Sequence, residues 1–302
     1  MIEEKARDVG PSKIDIVYQC FGDPKSPPLF MIMGGGAQMI SWPDGFCEEL
    51  AGQGLQPIRF DNRDTGLSTH ITGVPVPDLA AARRGDYSSV SYTLSDMAAD
   101  TIGLMDALGF DSAHLLGASM GGMIAQTVAI EYPARVRSLT SMMSTTGDSA
   151  VGQPDFRALA PLGAPPKDDR QGAIDWQVRS LKAIGSPGYP FDETSTAETA
   201  ARAWDRDHDP LGMLRQSIAV LKSGDRTEKL RGLRVPTLVI HGDSDKMIDE
   251  SGGKATAAAI PGAELVIFKG MGHGFPKSLW PEFATRIACL VHRAESGNME
   301  TR

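Results

Sequence analysis

Short apolar runs recur along the chain and alternate with segments of helical pattern. The runs with strand character are Leu29–Met33, Gln56–Phe60, Ala113–Leu116, Val136–Met143, Pro236–Ile240 and Glu264–Phe268. Helical segments are predicted at about residues 43–52, 93–108, 121–132 and 281–293. Buried strands that alternate with helices are typical of a parallel sheet with helical crossovers, so the pattern predicts an α/β fold with a mostly parallel central sheet flanked by helices.

The region 148–225, called the insertion below, interrupts this rhythm. Its helical segments are separated by Gly-Pro punctuation, as at residues 185–190, and it carries no convincing buried strand. We therefore predict a core made of residues 1–147 and 226–302, with the insertion as a helical cap, or lid. Residues 69–91 are predicted to form a loop, and residues 294–302 a frayed tail.

Composition narrows the class of protein without changing this fold. The 302 residues are 41% hydrophobic and 23% charged, as in ordinary globular proteins. A net charge of −8 argues against nucleic acid or an anionic membrane as the main partner. The three cysteines form no CxxC pair, so neither a disulfide framework nor a structural zinc site is expected. The charged N-terminus and the lack of a membrane-length apolar run predict a cytoplasmic protein, and a homodimer is left open.

The pentapeptide Gly117-Ala118-Ser119-Met120-Gly121 matches the pattern G-x-S-x-G between a predicted strand and a predicted helix. In that context the serine sits on a tight turn with its Oγ exposed at the carboxyl end of the sheet. Residues two before and two after it approach each other closely, which requires glycine. The alternative is an ordinary strand–helix turn in which Ser119 only caps the helix. We predict that Ser119 is a nucleophile.

A serine hydroxyl needs a base, and the base needs an orienting carboxylate. In folds with this turn, the acid and then the histidine follow the serine along the chain. Asp245 follows the strand that ends at Ile240, and His273 lies in the glycine-rich loop after the strand that ends at Phe268. We predict that these two residues complete a triad. The alternatives considered for the acid are Asp243, Asp249 and Asp148, and those for the base are His70, His114, His208, His241 and His292.

An oxyanion hole needs two N–H donors where negative charge develops. One is expected at Met120, directly after the nucleophile. The second is expected in Gly34-Gly35-Gly36, the loop that follows the first predicted strand. We favour the N–H of Gly35, with Gly36 as the alternative.

These motifs together resemble the α/β-hydrolase superfamily, in particular the branch of bacterial esterases and haloperoxidase-like enzymes that includes aclacinomycin methylesterase. The resemblance extends over nearly the whole chain. The turn at residues 61–68 matches D-x-R-x-x-G-x-S, and Met33 stands where a structural histidine is frequent. Asp64 replaces a common glycine, as it does in the branch nearest aclacinomycin methylesterase. Asp61 and Arg63 are interpreted as a buried structural pair.

The resemblance implies hydrolysis of small to medium apolar carboxylic esters without a cofactor or a metal. It also implies that the insertion covers the site and shapes the substrate pocket. The predicted pocket residues are Met39, Trp42, Met142, Met143, Met213 and Met247. Methionine side chains adapt to ligands of irregular shape, although each of these residues is equally well explained as part of the hydrophobic core.

Other functions remain open on the sequence alone. Narrower or related activities are a methyl-ester-specific hydrolase and a perhydrolase. An aminopeptidase would need an acidic recess, for which the insertion offers Asp155, Asp168, Asp169, Asp192 and Glu193. A small-molecule receptor with a vestigial triad is an alternative of a different class. Enzymes of this fold with an aspartate nucleophile are disfavoured, because the turn holds a serine.

Overall fold

A computed structural model of the protein describes residues 2–164, 166 and 168–300. Its strands are β1 (Glu4–Val9), β2 (Ile14–Cys20), β3 (Pro28–Ile32), β4 (Gln56–Phe60), β5 (Ala113–Ala118), β6 (Val136–Met142), β7 (Thr237–Gly242) and β8 (Glu264–Phe268). They form one sheet of order β1-β2-β4-β3-β5-β6-β7-β8. Strand β2 pairs antiparallel with β1 on one side and with β4 on the other. All the remaining neighbours in this order, from β4 through β3 to β8, pair parallel. The predicted α/β class is confirmed.

Helices cover both faces of this sheet. They are α1 (Asp44–Gly52), α2 (Leu79–Arg83), α3 (Leu94–Ala107), α4 (Met120–Glu131), α5 (Phe156–Leu159), α6 (Arg170–Ile184), α7 (Glu193–Arg206), α8 (Pro210–Ser223), α9 (Thr227–Leu230), α10 (Glu250–Ala259) and α11 (Trp280–Glu300). Successive side chains of a strand point to opposite faces. Leu115 of β5 accordingly packs in one core cluster with residues of α3 and α4, and Leu116 packs in the other with residues of α1 and α11.

The register of the parallel strands brings the predicted site residues to one edge of the sheet. Ile32 of β3 lies beside Gly117 of β5, and Met142 of β6 lies beside both Ala118 and Ile240. Gly242 of β7 pairs with Phe268 of β8. The loops that carry the glycine triplet, the nucleophile, the acid and the histidine therefore leave the sheet on the same side.

The structure differs from the sequence prediction in several elements. The strands β1 and β2 and the helix α10 were not predicted, and α2 lies within the predicted loop 69–91. The last helix continues to Glu300, so most of the predicted frayed tail is helical, while residues 301 and 302 lie outside the described residues. Its hydrophobic face continues through Leu290, Val291 and Ala294, which are buried.

Between β6 and β7, the described part of the insertion contains α5, α6, α7 and α8 and no strand. Its assignment as a separate cap stays a prediction. The three cysteines are free. Within the described ranges, none of the helices is both long enough and apolar enough to cross a membrane.

Candidate active site

Ser119 occupies a strained turn between β5 and α4. Its backbone has φ 56° and ψ −123°, a region that non-glycine residues rarely adopt. A Cβ at Gly117 would overlap the carbonyl oxygen of Gly121, and one at Gly121 would overlap that of Ile32. The two flanking glycines are therefore required by close backbone approach. Such strain persists only where the surroundings hold it, and it concentrates at functional sites.

Four hydrogen bonds hold this turn in place. The N–H of Ser119 donates to the carbonyl of Met142, the last residue of β6, at 2.9 Å. The carbonyl of Ser119 accepts from the N–H groups of Gly122 and Met123, at 2.9 and 3.3 Å, and from the hydroxyl of Ser144 at 2.8 Å. Met120 is the first residue of α4, so its N–H has no partner within the helix and is available to a ligand.

His273 and Asp245 meet although they are 28 residues apart. The Nδ1 of His273 lies 2.8 Å from Oδ2 of Asp245, and since a carboxylate only accepts, Nδ1 carries the proton. Oδ1 of Asp245 accepts from the N–H groups of Met247 and Ile248, at 2.9 and 3.0 Å. The Asp245 side chain is completely buried and that of His273 is 12% exposed. Nε2 of His273 makes no hydrogen bond to the residues that the structure describes.

A second histidine, His241, lies behind the acid. Its Nε2 is 2.8 Å from the carbonyl of Ile248 and 3.5 Å from Oδ2 of Asp245. Burial lowers the pKa of His241, so the ring is neutral and donates from Nε2. Its Nδ1 is buried without a hydrogen-bond partner among the described residues. Nothing in the sequence indicates this contact beyond the position of His241 near the end of a strand.

The alternative acids are occupied by turn and cap interactions. Asp243 accepts from the N–H of Gly270 at 2.7 Å, and Asp148 accepts from that of Ala150 at 2.9 Å. Asp249 caps α10 and also binds the N–H of Gln153 at 2.7 Å.

The alternative histidines likewise bind elsewhere. His114 is held between Ser138 and Glu295, and His70 contacts Asp209 and the carbonyl of Gly66. His208 contacts the carbonyl of Trp204, and His292 that of Gln53. Among the histidines, His273 and His241 contact the carboxylate of Asp245. His273 is the nearer of the two, at 2.8 Å, and His241 lies behind the carboxylate at 3.5 Å.

The glycine triplet follows β3 after one residue, Met33, and lies beside the nucleophile. A Cβ at Gly34 would lie 3.0 Å from Cβ of Ser119, and one at Gly35 would lie 3.7 Å from the sulfur of Met120. The N–H of Gly36 donates to Oε1 of Gln216 at 2.7 Å. Because Gly36 is already committed to this bond, the geometry favours Gly35 as the second oxyanion donor.

Asp61 and Arg63 are both buried, but the interpretation of them as a pair is wrong. Arg63 binds both carboxylate oxygens of Asp100, at 2.5 and 2.6 Å. Asp61 accepts from Arg206 of α7 at 2.8 Å and from the N–H of Met39 at 2.7 Å. Asp61 thus binds the insertion, through a residue that lies 145 positions later in the chain.

A second ion pair also joins the turn at residues 61–68 to the insertion. Asp64, with φ 62°, binds Arg215 of α8 through two hydrogen bonds of 2.8 Å. Arg215 also donates to Asp209 at 3.1 Å. The side chains of Asp64, His70 and Asp209 are close enough together to hold a metal ion. The guanidinium between the two carboxylates already compensates their charge, so the cluster is explained without a metal.

The predicted pocket residues lie in three different environments. Met39, Trp42, Met142 and Met143 are buried among core residues, and Met247 packs at the margin of a core cluster. Met213 of α8 is 51% exposed, and its side chain lies against Gly36. Met213 is the member of the set that combines exposure with contact to the glycine triplet. The pocket assignment as a whole stays a prediction.

The insertion also contacts the histidine loop. The N–H of His273 donates to the carbonyl of Ile184 at 2.8 Å, and that of Gly272 donates to the hydroxyl of Ser186 at 2.9 Å. Gly188 and Gly270 are in backbone contact, with a 2.9 Å hydrogen bond from Gly188 N–H to the Gly270 carbonyl.

A surface groove of about 960 Å³ runs between α1, α7 and residues 277–280. Its lining includes Asp44, Glu48, Glu198, Arg202 and Trp280. The predicted catalytic residues do not line it, so this groove lies apart from them.

Comparison with known protein families identifies the family to which the chain belongs. Residues 27–276 match the family model described as alpha/beta hydrolase fold, which is most of the chain. The chain therefore belongs to the α/β-hydrolase fold family, and the prediction of a hydrolase of this fold is confirmed.

Individual relatives and structures agree with this family. The chain is 27% identical to rhodomycin D methylesterase DnrP of Streptomyces peucetius, with 90% of this chain and 93% of the relative covered. It is 26% identical to rhodomycin D methylesterase DauP of Streptomyces sp. (strain C5), with 95% and 98% covered. The crystal structure of the esterase RhEst1 from Rhodococcus sp. ECU1013 superposes with a TM-score of 0.71 at 23% identity, over 96% of this chain and 100% of that one. At that identity the likeness to RhEst1 supports the fold alone.

Proposed function

We propose that the protein is a serine carboxylesterase in which Ser119, His273 and Asp245 form the catalytic triad. The observation that carries the proposal is the 2.8 Å contact between His273 and a completely buried Asp245, at the sheet edge where Ser119 occupies its strained turn. An ester hydrolase of this fold is also what the similarity to the two methylesterases supports.

In the proposed reaction, Oγ of Ser119 attacks the ester carbonyl carbon as Nε2 of His273 takes its proton. Asp245 holds the Nδ1–H and stabilises the imidazolium that forms. The N–H groups of Gly35 and Met120 bind the oxyanion, and each such donor is worth roughly 100- to 1,000-fold in rate. The alcohol leaves with the proton from His273 as the C–O bond breaks, and the acyl group stays on Oγ of Ser119 as an ester. Water then attacks this ester as His273 takes its proton, and the acid is released as His273 returns the proton to Oγ.

The substrate class we propose is a small to medium apolar ester, with methyl esters as the narrower candidate. Support for methyl esters comes from two methylesterases that align with the chain over nearly their whole length. A perhydrolase uses the same residues, and a receptor with a vestigial triad would show no turnover. A cytoplasmic location and a homodimer stay predictions.

The aminopeptidase alternative loses support from the insertion's acids. Asp155, Asp169 and Asp192 cap the N-termini of α5, α6 and α7 through their side chains. Glu193 pairs with Lys182 at 3.1 Å. These four carboxylates already have partners, and Asp168 is the remaining acid of the predicted set.

The test is a panel of p-nitrophenyl and methyl esters of increasing acyl length, assayed with the wild type, Ser119→Ala and Ser95→Ala. Ser95 is a surface serine at the start of α3 that binds Glu131, so its variant controls for the loss of a hydroxyl. We expect turnover by the wild type and Ser95→Ala and none by Ser119→Ala above the uncatalysed rate. Near-full activity in Ser119→Ala would refute the nucleophile, and no turnover of any ester by the wild type would favour the receptor.

A further inference from the structure

Gln216 of α8 connects the insertion to the glycine triplet through a fully buried amide. The residue is 0% exposed. Its Oε1 accepts the N–H of Gly36 at 2.7 Å, and its Nε2 donates to the carbonyl of Arg63 at 2.8 Å and to the hydroxyl of Thr65 at 2.7 Å. One side chain of α8 thus binds two segments, the glycine triplet and the turn at residues 61–68, that both lie more than 150 residues before it in the sequence.

The partners fix the orientation of this amide. The Arg63 carbonyl can only accept a hydrogen bond and the Gly36 N–H can only donate one, so the nitrogen and oxygen of Gln216 cannot exchange places. A buried amide is costly unless its groups are paired, and here both N–H donors and the oxygen have partners. The environment is therefore specific for a side chain with an acceptor on one side and donors on the other.

The backbone around Gln216 is itself held firmly. The adjacent Arg215 makes its two 2.8 Å hydrogen bonds to Asp64. A Cβ at Gly212, one turn earlier in α8, would overlap the carbonyl oxygen of Asp64, so helix and turn are in direct backbone contact. Gln216 consequently projects from a helix whose position is fixed against the same turn that its amide binds.

The hydrogen bond to Gly36 fixes the peptide unit that joins Gly35 to Gly36. Glycine has an unusually wide choice of backbone conformations, and Gly36 adopts φ +68°. A run of three glycines would otherwise sample many orientations, and an oxyanion donor must be held close to its productive position. The amide of Gln216 removes that freedom at the residue next to the proposed donor.

We propose that Gln216 is a positioning residue that fixes the Gly34–Gly36 loop for oxyanion binding and so makes the hole depend on the docked insertion. The inference rests on the proposed function, because Gly35 is assigned there as a donor. Gln216 itself does not touch the reacting atoms.

Gln216→Met tests the proposal, since methionine has a similar length but lacks both the acceptor and the donors. On an ester that the wild type hydrolyses, such as p-nitrophenyl butyrate, we expect kcat to fall about 10- to 100-fold, less than for complete loss of a donor, with KM changed less than about threefold. Phenylboronic acid forms a tetrahedral adduct with a serine, and its inhibition constant should rise by a similar factor. Gln216→Glu keeps the acceptor for Gly36 and should recover part of kcat.

Gln126→Met is the matched control. Gln126 is another fully buried glutamine, and its partners are Ser141 and Arg226 rather than the glycine triplet. We expect a comparable loss of stability in urea but an unchanged kcat. Equal losses of kcat in the two methionine variants would show a general structural effect and overturn the inference.

Hydrogen–deuterium exchange provides a readout independent of turnover. In Gln216→Met and Gln216→Glu we compare peptides that cover residues 33–39 with the wild type. Faster exchange in the methionine variant, with protection restored by glutamate, is the expected result. Unchanged exchange and wild-type kcat would refute the role of Gln216, whereas full activity in Ser119→Ala would refute the proposed function instead.

Discussion

Replacement of Asp245 by asparagine changes one atom and should disable the histidine. Oδ1 of Asp245 accepts two backbone N–H groups, from Met247 and Ile248. The oxygen of an asparagine is held by the same donors, which leaves its NH₂ group at the position of Oδ2, facing Nδ1 of His273. His273 must then present a bare Nδ1 and carry its proton on Nε2, where it cannot accept a proton from Ser119.

The two backbone donors to Oδ1 outweigh the neighbouring His241, whose Nε2 donates to the carbonyl of Ile248 at 2.8 Å and lies farther, at 3.5 Å, from Oδ2 of Asp245. An aspartate-to-asparagine change that imposes the wrong tautomer costs about 10⁴-fold in kcat, or roughly 5 kcal/mol of transition-state stabilisation. We expect a loss of that order for Asp245→Asn.

The assay is kcat/KM on the best ester of the panel, with Asp243→Asn as control. Asp243 lies in the same loop and binds the N–H of Gly270, without contact to the histidine. Circular dichroism and urea unfolding establish that both variants are folded. Activity of Asp245→Asn within tenfold of the wild type would refute the tautomer argument, as would an equal loss in Asp243→Asn.

Two further predictions concern stability. Burial lowers the pKa of His114 from 6.5 to about 4, so the unfolded state binds the proton more readily, and stability present above pH 6.5 is lost as the pH falls toward 4. His114→Gln should remove up to about 3 kcal/mol of that pH dependence in urea titrations at pH 7 and pH 4.5, and parallel curves for variant and wild type would contradict this. Asp64→Asn leaves the buried Arg215 with Asp209 as its carboxylate partner and should cost about 2–4 kcal/mol of unfolding free energy, whereas Asp205→Asn, at an exposed pair with Arg170, should leave the unfolding free energy almost unchanged.

The candidate site could be predicted because its parts follow strands. In a parallel sheet the carboxyl ends of neighbouring strands meet at one edge, so Gly35, Ser119, Asp245 and His273 could be assigned from chain order alone. The apolar runs of β3, β5 and β7 are fully buried, which makes them strong signals in sequence, whereas β8, the strand before His273, is buried only at Phe268.

The missed elements lack such a signal. β1 is an edge strand with the sequence Glu-Lys-Ala-Arg-Asp-Val, and most of its residues are exposed. Charges on an edge strand are common because they discourage pairing with other chains, but they hide the strand from a search for apolar runs. The short helix α2 is held by a cap from Asp78, which is a local interaction without periodicity.

The contacts between the core and the insertion could not be read from the sequence. Asp61 pairs with Arg206 and Asp64 with Arg215, although Arg63 stands between the two acids along the chain. The partner of each charge depends on how α7 and α8 pack against the turn at residues 61–68. The same packing brings Gln216 within hydrogen-bond distance of Gly36 and places Met213 beside the glycine triplet.

The most direct test of the central claim is covalent labelling with a fluorophosphonate, which reacts with an activated serine. Peptide mass spectrometry should find a single adduct on Ser119, formed in parallel with the loss of esterase activity, and slowed strongly in His273→Ala. An adduct on another residue, or labelling of Ser119→Ala to the same extent as the wild type, would contradict the assignment of Ser119 as the nucleophile.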